Sequence, residues 1–277
     1  HRGARVLRCH YCDFTTPHTG ACILCGSPHL LELGLGTEQL EQNLAEAFPT
    51  ARVARLDRDT ASGVGVAAVL DRLRTRQVDI LVGTQMVTKG HDIPGVTVVG
   101  VILADQSLAF PDFRAAERTF QLLVQVGGRA GRGDIPGRVV IQTYMPEHPA
   151  VHFAQTHDYA GFVRTELAAR RELGYPPFAR LIAVRVDATS ETEAERVADL
   201  LASVARAEPA VRDQRVEILG PAPAPIGKLR GRYRFRFMMK GAELRPLRAV
   251  ALAVTRRIDE GIGAARAGLD IDPVSML

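Results

Sequence analysis

The chain has 277 residues, 46% of them hydrophobic and 24% charged, a mix that excludes a disordered, collagenous or coiled-coil protein and leaves room for two globular domains. The net charge of +4 permits a nucleic-acid partner without requiring one. The longest apolar run, Val96 to Ala104, is about half of what a membrane span needs, so a strand is expected there and no membrane partner.

The chain opens on His1, and HRGARVLRCHYC lacks the apolar stretch of a leader peptide, so it reads as a piece cut from a longer cytoplasmic protein. Residues 1–30 are poor in apolar side chains and hold every cysteine, in the pattern Cys9-x2-Cys12-x9-Cys22-x2-Cys25. Four thiolates in two such pairs select structural, tetrahedral Zn²⁺, which contributes on the order of 10 kcal/mol to a segment with too little core to fold alone. Free or redox cysteines are the other reading.

From Leu31 strand and helix alternate. LLELGLG, ARVARLD, DILVGTQ, VTVVGVILAD and RVVIQT read as five strands, the inner ones continuous apolar runs as in a parallel sheet covered on both faces. Between them lie TEQLEQNLAEAF, with Leu40, Leu44 and Phe48 on one face, then AAVLDRLRTRQ, then DFRAAERTFQLLVQV with Asp112 as its cap and Gly127-Gly128 as its stop. Residues 31–148 therefore form an α/β domain. Residues 149–178 read as a connecting helical segment ending at Tyr175-Pro176-Pro177. Residues 179–277 follow the order β-α-β-β-α-β, with a capping box Ser190-x-x-Glu193 and a loop GPAPAPIG, which is the split βαβ arrangement of an α+β domain.

Two loops at the carboxyl ends of strands and helices concentrate polar groups, where open α/β sheets place ligands. One runs from Gly83, Thr84 and Gln85 through Lys89, Gly90 and Asp92 to Pro94; the other is Gln125-Val126-Gly127-Gly128-Arg129-Ala130-Gly131-Arg132-Gly133. Glycines let a backbone approach phosphate, and two Arg three apart can face developing γ-phosphate charge; a solvated bend is the plain alternative. No Walker A loop occurs, since Gly227-Lys228 precedes Leu229, and no H-E-x-x-H or G-x-S-x-G occurs. In the last domain Arg230, Arg232, Arg234 and Arg236 alternate with Tyr233, Phe235 and Phe237, which on a strand puts guanidinium groups on one face and rings on the other. With Lys228 they form either a solvated face or a patch for a DNA backbone.

GTQMVTKGHDIPGVTVVGVILAD and PDFRAAERTFQLLVQVGGRAGR resemble motifs V and VI of superfamily 2 helicases, in the wording of the bacterial replication-restart helicases of the primosomal protein N′ family. RLDRDT, YMPEHP, RRELGYPPF, LGPAPAPI, RGRYRFRF and the closing DIDP carry the likeness along the whole chain. The resemblance implies a RecA-like second helicase lobe, a partial zinc module and a C-terminal domain that engages DNA or protein partners. It implies an ATP-dependent motor that moves 3′ to 5′, recognises stalled forks and restarts replication; a fork-binding primosome loader without motor activity is the alternative. ATP and Mg²⁺ would be bound mainly by a first lobe outside this chain, leaving these residues inactive alone. Arg132 would be the arginine finger, with Arg129 and Gln125 beside it. Gly83, Thr84, Gln85, Lys89, Gly90 and Asp92 would couple nucleotide to DNA movement. Implied partners are branched and single-stranded DNA, single-stranded DNA-binding protein, other primosome proteins and, indirectly, the replicative helicase, with the protein a nucleoid-associated monomer. The sequence departs from the family in Gly127 for Ala, in Ile93 for Phe, and in holding two of four CxxC pairs. By the family pattern those two belong to different zinc ions, whereas spacing alone allows one site.

Overall fold

The computed structural model describes residues 36–57, 65–84, 95–128, 130–131 and 136–276, with Ala21, Ser27 and the backbone of two short strands, β1 (Val6–Arg8) and β2 (Thr15–Pro17). The four cysteines, Gln85, Lys89, Gly90, Asp92, Arg129 and Arg132 lie outside the described residues, as does the expected first strand LLELGLG apart from its last residue, Gly36. The chain divides into two units, one of residues 29–109 and 116–162, the other of residues 1–28, 110–115 and 163–277.

The α/β unit contains α1 (Thr37–Ala47), β3 (Val53–Leu56), α2 (Val66–Arg74), β4 (Ile80–Gly83), β5 (Val98–Val101), α3 (Asp105–Leu108), α4 (Ala115–Gly127), β6 (Arg138–Ile141) and α5 (Pro149–Gln155). β3 pairs with β4 and β5 with β6, both parallel, with Leu56 opposite Gly83 and Val101 opposite Ile141. Parallel pairing is as expected, but each sheet is two-stranded among the described residues rather than one continuous sheet. β5 and β6 are also not covered on both faces: Val98 and Val140 stay 60% and 54% exposed while Val99 and Val139 are half-buried, so these strands alternate as one-sided strands do.

Leu56 is fully buried against Val69 and Leu70 of α2, whose i, i+4 neighbour Leu73 extends the same stripe. α4 buries Phe120, Leu123 and Val126, and Phe120 stacks on Phe162 with centroids 4.2 Å apart. The expected apolar face of α1 is only half-covered: no residue of the helix is buried, and Phe48, past its end, is 52% exposed.

In the other unit the long helix α6 (Tyr159–Glu172), which begins in the α/β unit, leads to β7 (Arg180–Ala188), α7 (Glu191–Ala207), α8 (Pro209–Arg212), β8 (Glu217–Leu229), β9 (Arg232–Gly241), α9 (Leu244–Asp259) and β10 (Arg266–Ile271). The four strands form one antiparallel sheet in the order β10-β7-β9-β8, the arrangement expected for a split βαβ domain. Ile182, Val184 and Val186 of β7 and Phe235, Phe237 and Met239 of β9 point to one face. Ala194, Ala198, Leu201 and Ala205 of α7 and Leu247, Val250 and Val254 of α9 close over it. The small alanines let α7 lie near the sheet.

Two local expectations change. GPAPAPIG is strand, not loop: it lies within β8, whose pairing with β9 shifts register between Leu219 and Ala222 and again between Pro223 and Lys228. β8 is an edge strand, where a proline that cannot donate costs no ladder bond. The capping box does not close either. Ser190 has extended cap dihedrals but no side-chain cap bond, and the Glu193 carboxylate that would reach back to the Ser190 amide is taken by Arg196, Nε and Nη2 each donating at 2.9 Å. A two-pronged, charge-assisted pair outcompetes one bond to a backbone amide.

Because Phe237 is 1% exposed at the centre of this core, Phe237→Ala is expected to cost about 3–5 kcal/mol. Chemical denaturation should show a lower midpoint at unchanged slope; a cost below about 1 kcal/mol would contradict the packing described.

Candidate functional site

The carboxyl ends of the parallel strands carry the polar groups of the α/β unit. After β3, Asp57 is 7% exposed and accepts the Thr37 hydroxyl at 2.7 Å, with Arg55 Nε 3.4 Å from its Oδ2 and from Glu41 Oε2. β4 ends at Gly83, and Gly83 and Thr84 are both exposed. After β5, Asp105 accepts the Thr143 hydroxyl at 2.6 Å and the amides of Tyr144 and Met145 at 2.9 and 3.1 Å, so one carboxylate ties the exit of β5 to the exit of β6. Burial pushes the Asp105 carboxyl up, but these bonds together outweigh it and hold the group below its ordinary value.

At the end of α4, Gln125 is exposed and Val126 is buried inward. Gly127 meets the ring of His157: a Cβ there would stand 2.9 Å from Cε1. The glycine found where the family resemblance calls for alanine thus leaves room for this imidazole. Beyond the turn, the Gly131 amide donates to the Val96 carbonyl at 3.1 Å, and Gly131 has φ +79°, with the Gly137 nitrogen 2.6 Å from where its Cβ would be. Only glycine fits both the conformation and the approach. Of the expected coupling and catalytic residues, the described ones are Gly83 and Thr84, exposed at the end of β4, and Gln125, exposed near the end of α4.

The arginine strand is as alternating as its sequence, with Phe235 and Phe237 buried on the helix-covered face, but its charges are not equivalent. Arg230 is not on the strand. It forms with Gly231 the two-residue turn between β8 and β9, both in left-handed conformation (φ 49° and 78°), and Arg230 is exposed at that tip. Arg232 is bonded to the Asp187 carboxylate and, at 2.9 Å, to the Asp187 carbonyl. Lys228 donates to the Tyr233 hydroxyl at 3.1 Å with its ammonium 4.3 Å from the ring centre. Arg236 is half-buried and donates to the carbonyls of Met276 and, at 3.4 Å, Pro111. Burial pushes its guanidinium below its ordinary value, with Asp112 opposing and Arg185 and Arg234 adding to the effect. Arg234 stands between them, half-buried.

Sequence reasoning passed over Asp57, Asp105 and Asp112 as site-building groups. RLDRDT and VILAD both end an apolar strand in aspartate, the signal that could have found the first two.

No group of three or more metal-ligating side chains occurs among the described residues. No helix among them is long and apolar enough to cross a membrane.

The class follows from residues 19–134, which match the helicase conserved C-terminal domain, placing the α/β unit among helicase lobes. Residues 171–274, which hold the antiparallel sheet, match the primosomal protein N C-terminal domain. Proteins named replication restart protein PriA resemble the chain throughout. That of Synechocystis sp. is 44% identical over 239 residues, covering 86% of this chain and 28% of its own length; that of Bacillus subtilis is 40% identical over 277 residues, covering 98% and 34%; that of Haemophilus influenzae is 37% identical over 274 residues, covering 99% and 37%. The chain belongs to the PriA family and spans about a third of the length of these relatives.

Asp105→Ala is expected to lower stability by about 2 kcal/mol at neutral pH, since it removes a charged acceptor of three hydrogen bonds, the Met145 amide alone keeping a second bond, to the Thr143 hydroxyl oxygen at 3.0 Å. The carboxyl is held below its ordinary value, so its contribution is complete above that value and fades as pH falls through the native one. Denaturation midpoints of variant and wild type should therefore draw together as pH falls from neutral to below the ordinary carboxylate range; a gap that stays constant as pH falls would contradict the assignment.

Proposed function

We propose that this chain carries the second motor lobe and the C-terminal domain of an ATP-dependent DNA helicase that moves 3′ to 5′, recognises stalled replication forks and restarts replication. The observation that carries the reading is membership in the PriA family, with the helicase match covering both polar loops, 83–94 and 125–133. The carboxyl-edge setting of Gly83 and Thr84 and the exposure of Gln125 support it.

In this reading Arg132 faces the γ-phosphate of ATP held by another lobe, and Arg129 and Gln125 stand beside it. Gln85, Lys89, Gly90 and Asp92 continue from Gly83 and Thr84 into the loop that relays nucleotide state to DNA. ATP with Mg²⁺ supplies the energy of translocation, and the residues here stabilise charge and transmit movement. By their CxxC spacing, Cys9 and Cys12 form one metal knuckle in this reading and Cys22 and Cys25 another. Zn²⁺ would supply a cross-link in place of an apolar core. Partners in this reading are branched and single-stranded DNA, single-stranded DNA-binding protein and the primosome proteins that reload the replicative helicase.

Arg132→Ala in the full-length protein tests the motor. It is expected to lower DNA-stimulated ATP hydrolysis by about 10³-fold or more and to leave fork affinity within about twofold. Normal turnover would contradict the finger, and fork binding by a wild-type protein that hydrolyses no ATP would favour the loader.

DNA contact in the C-terminal domain is assigned to the tip Arg230 and to Arg234, with Lys228 behind them. Arg230→Ala and Arg234→Ala should each flatten the dependence of log affinity on log salt by about 0.7–0.9. Unchanged slopes in titrations across salt would leave the strand as surface only.

A further inference from the structure

The last described residues of the chain are held by their backbone. Arg114 donates to the Val274 carbonyl at 3.4 Å, Arg185 to the Ser275 carbonyl at 3.4 Å, and Arg236 to the Met276 carbonyl. The Met276 amide donates to Asp112 Oδ2 at 3.1 Å, and the Arg114 amide to Oδ1 of the same carboxylate at 2.9 Å. Asp112 is 8% exposed and Met276 5%. Arg236 also reaches the Pro111 carbonyl, and Phe113 stacks on Tyr175 with centroids 5.5 Å apart and planes 3° apart, the Arg170 guanidinium 5.3 Å from the Phe113 ring. Residues 110–115 belong to the C-terminal unit by these contacts, although the chain on both sides of them belongs to the α/β unit. The segment ends where α4 begins.

We propose that Arg236 and Asp112 are positioning residues: with the backbone of residues 274–276 they clasp the segment 110–114 and fix the start of α4, the helix whose far end carries Gln125 and the glycine-arginine loop. Arg236 thereby leaves the set of DNA contacts. A guanidinium gripping two carbonyls is spent on the chain itself, and a carboxylate that accepts two amides, one at each oxygen, specifies the path of both segments. Through this clasp the C-terminal domain acts on hydrolysis without touching nucleotide. The role rests on the motor reading above.

The test is made in the full-length protein. Asp112→Asn keeps shape but turns an NH₂ toward one of the two amides, and Arg236→Ala removes both carbonyl bonds. Each is expected to lower the saturated DNA-stimulated kcat at least tenfold with KM for ATP and Kd for DNA within twofold, and Asp112→Asn to speed hydrogen exchange of the Met276 amide at least tenfold. Arg236→Lys, which still reaches a carbonyl, should recover most of the rate. Phe113→Leu, which removes the stacked ring, carries the same kinetic test if Asp112→Asn does not fold.

A weaker DNA Kd with a flatter salt slope and unchanged kcat for Arg236→Ala would overturn the proposal and return Arg236 to the DNA face. Unchanged kinetics in every variant would overturn it too. A wild-type protein with no DNA-stimulated hydrolysis would defeat the motor reading and this role with it, and exchange at Met276 would then still report whether the tail is clasped.

Discussion

Strand β9 is the constraint on which the C-terminal domain depends, because it lies inside the sheet and has two faces of opposite chemistry. Its odd-numbered side chains, Phe235, Phe237 and Met239, complete the core against α7 and α9. Its even-numbered ones, Arg232, Arg234 and Arg236, cannot follow them, so a row of guanidinium groups is fixed on the opposite face. A slip of one residue would bury three charges and expose three large apolar side chains, a cost no loop rearrangement could offset. Everything done by the arginine face follows from that register: Arg232 holds Asp187 of β7, Arg236 holds the carbonyls of Met276 and Pro111, and Arg234 lies between them.

In the α/β unit short strands are fastened by aspartates at their carboxyl ends. Asp105 gathers Thr143, Tyr144 and Met145, and Asp57 takes the hydroxyl of Thr37. Such bonds fix the carboxyl ends of these strands, whereas the turn after α4 leads into the start of β6. Helices α2 and α4 bury a single stripe each, so these carboxylates supply order that the thin core does not.

The arrangement of the C-terminal domain was legible because period-two and helical patterns there are long and uninterrupted. LIAVRVDA and RYRFRFMMK each announce a strand, and the order of elements names the sheet. What was not legible depended on competition between partners. Glu193 looks like half of a capping box until Arg196 claims it. GPAPAPIG looks like a loop because proline usually ends strands, and only its place at the sheet edge allows it to be one. Four alternating arginines look equivalent in sequence, while the partners of Arg232 and Arg236 come from residues 40 to 125 positions away, which no local pattern encodes. In the α/β unit parallel pairing was legible, but which strands pair and the coverage of β5 were not, since a continuous apolar run reads the same whichever neighbour it takes and whether one face is covered or two. The glycine-arginine loop and the CxxC pairs were found by spacing and resemblance, and their roles are proposals that rest on chemistry.

In the proposed function these residues are one half of a motor whose ATP is held elsewhere in the full-length protein. The most direct measurement compares steady-state ATP hydrolysis by the full-length protein and by the 277-residue chain alone, each with and without forked DNA. The account predicts hydrolysis that appears in the full-length protein when DNA is added and is absent from the shorter chain under every condition. Hydrolysis by the shorter chain alone, or none by the full-length protein on any DNA, would contradict it.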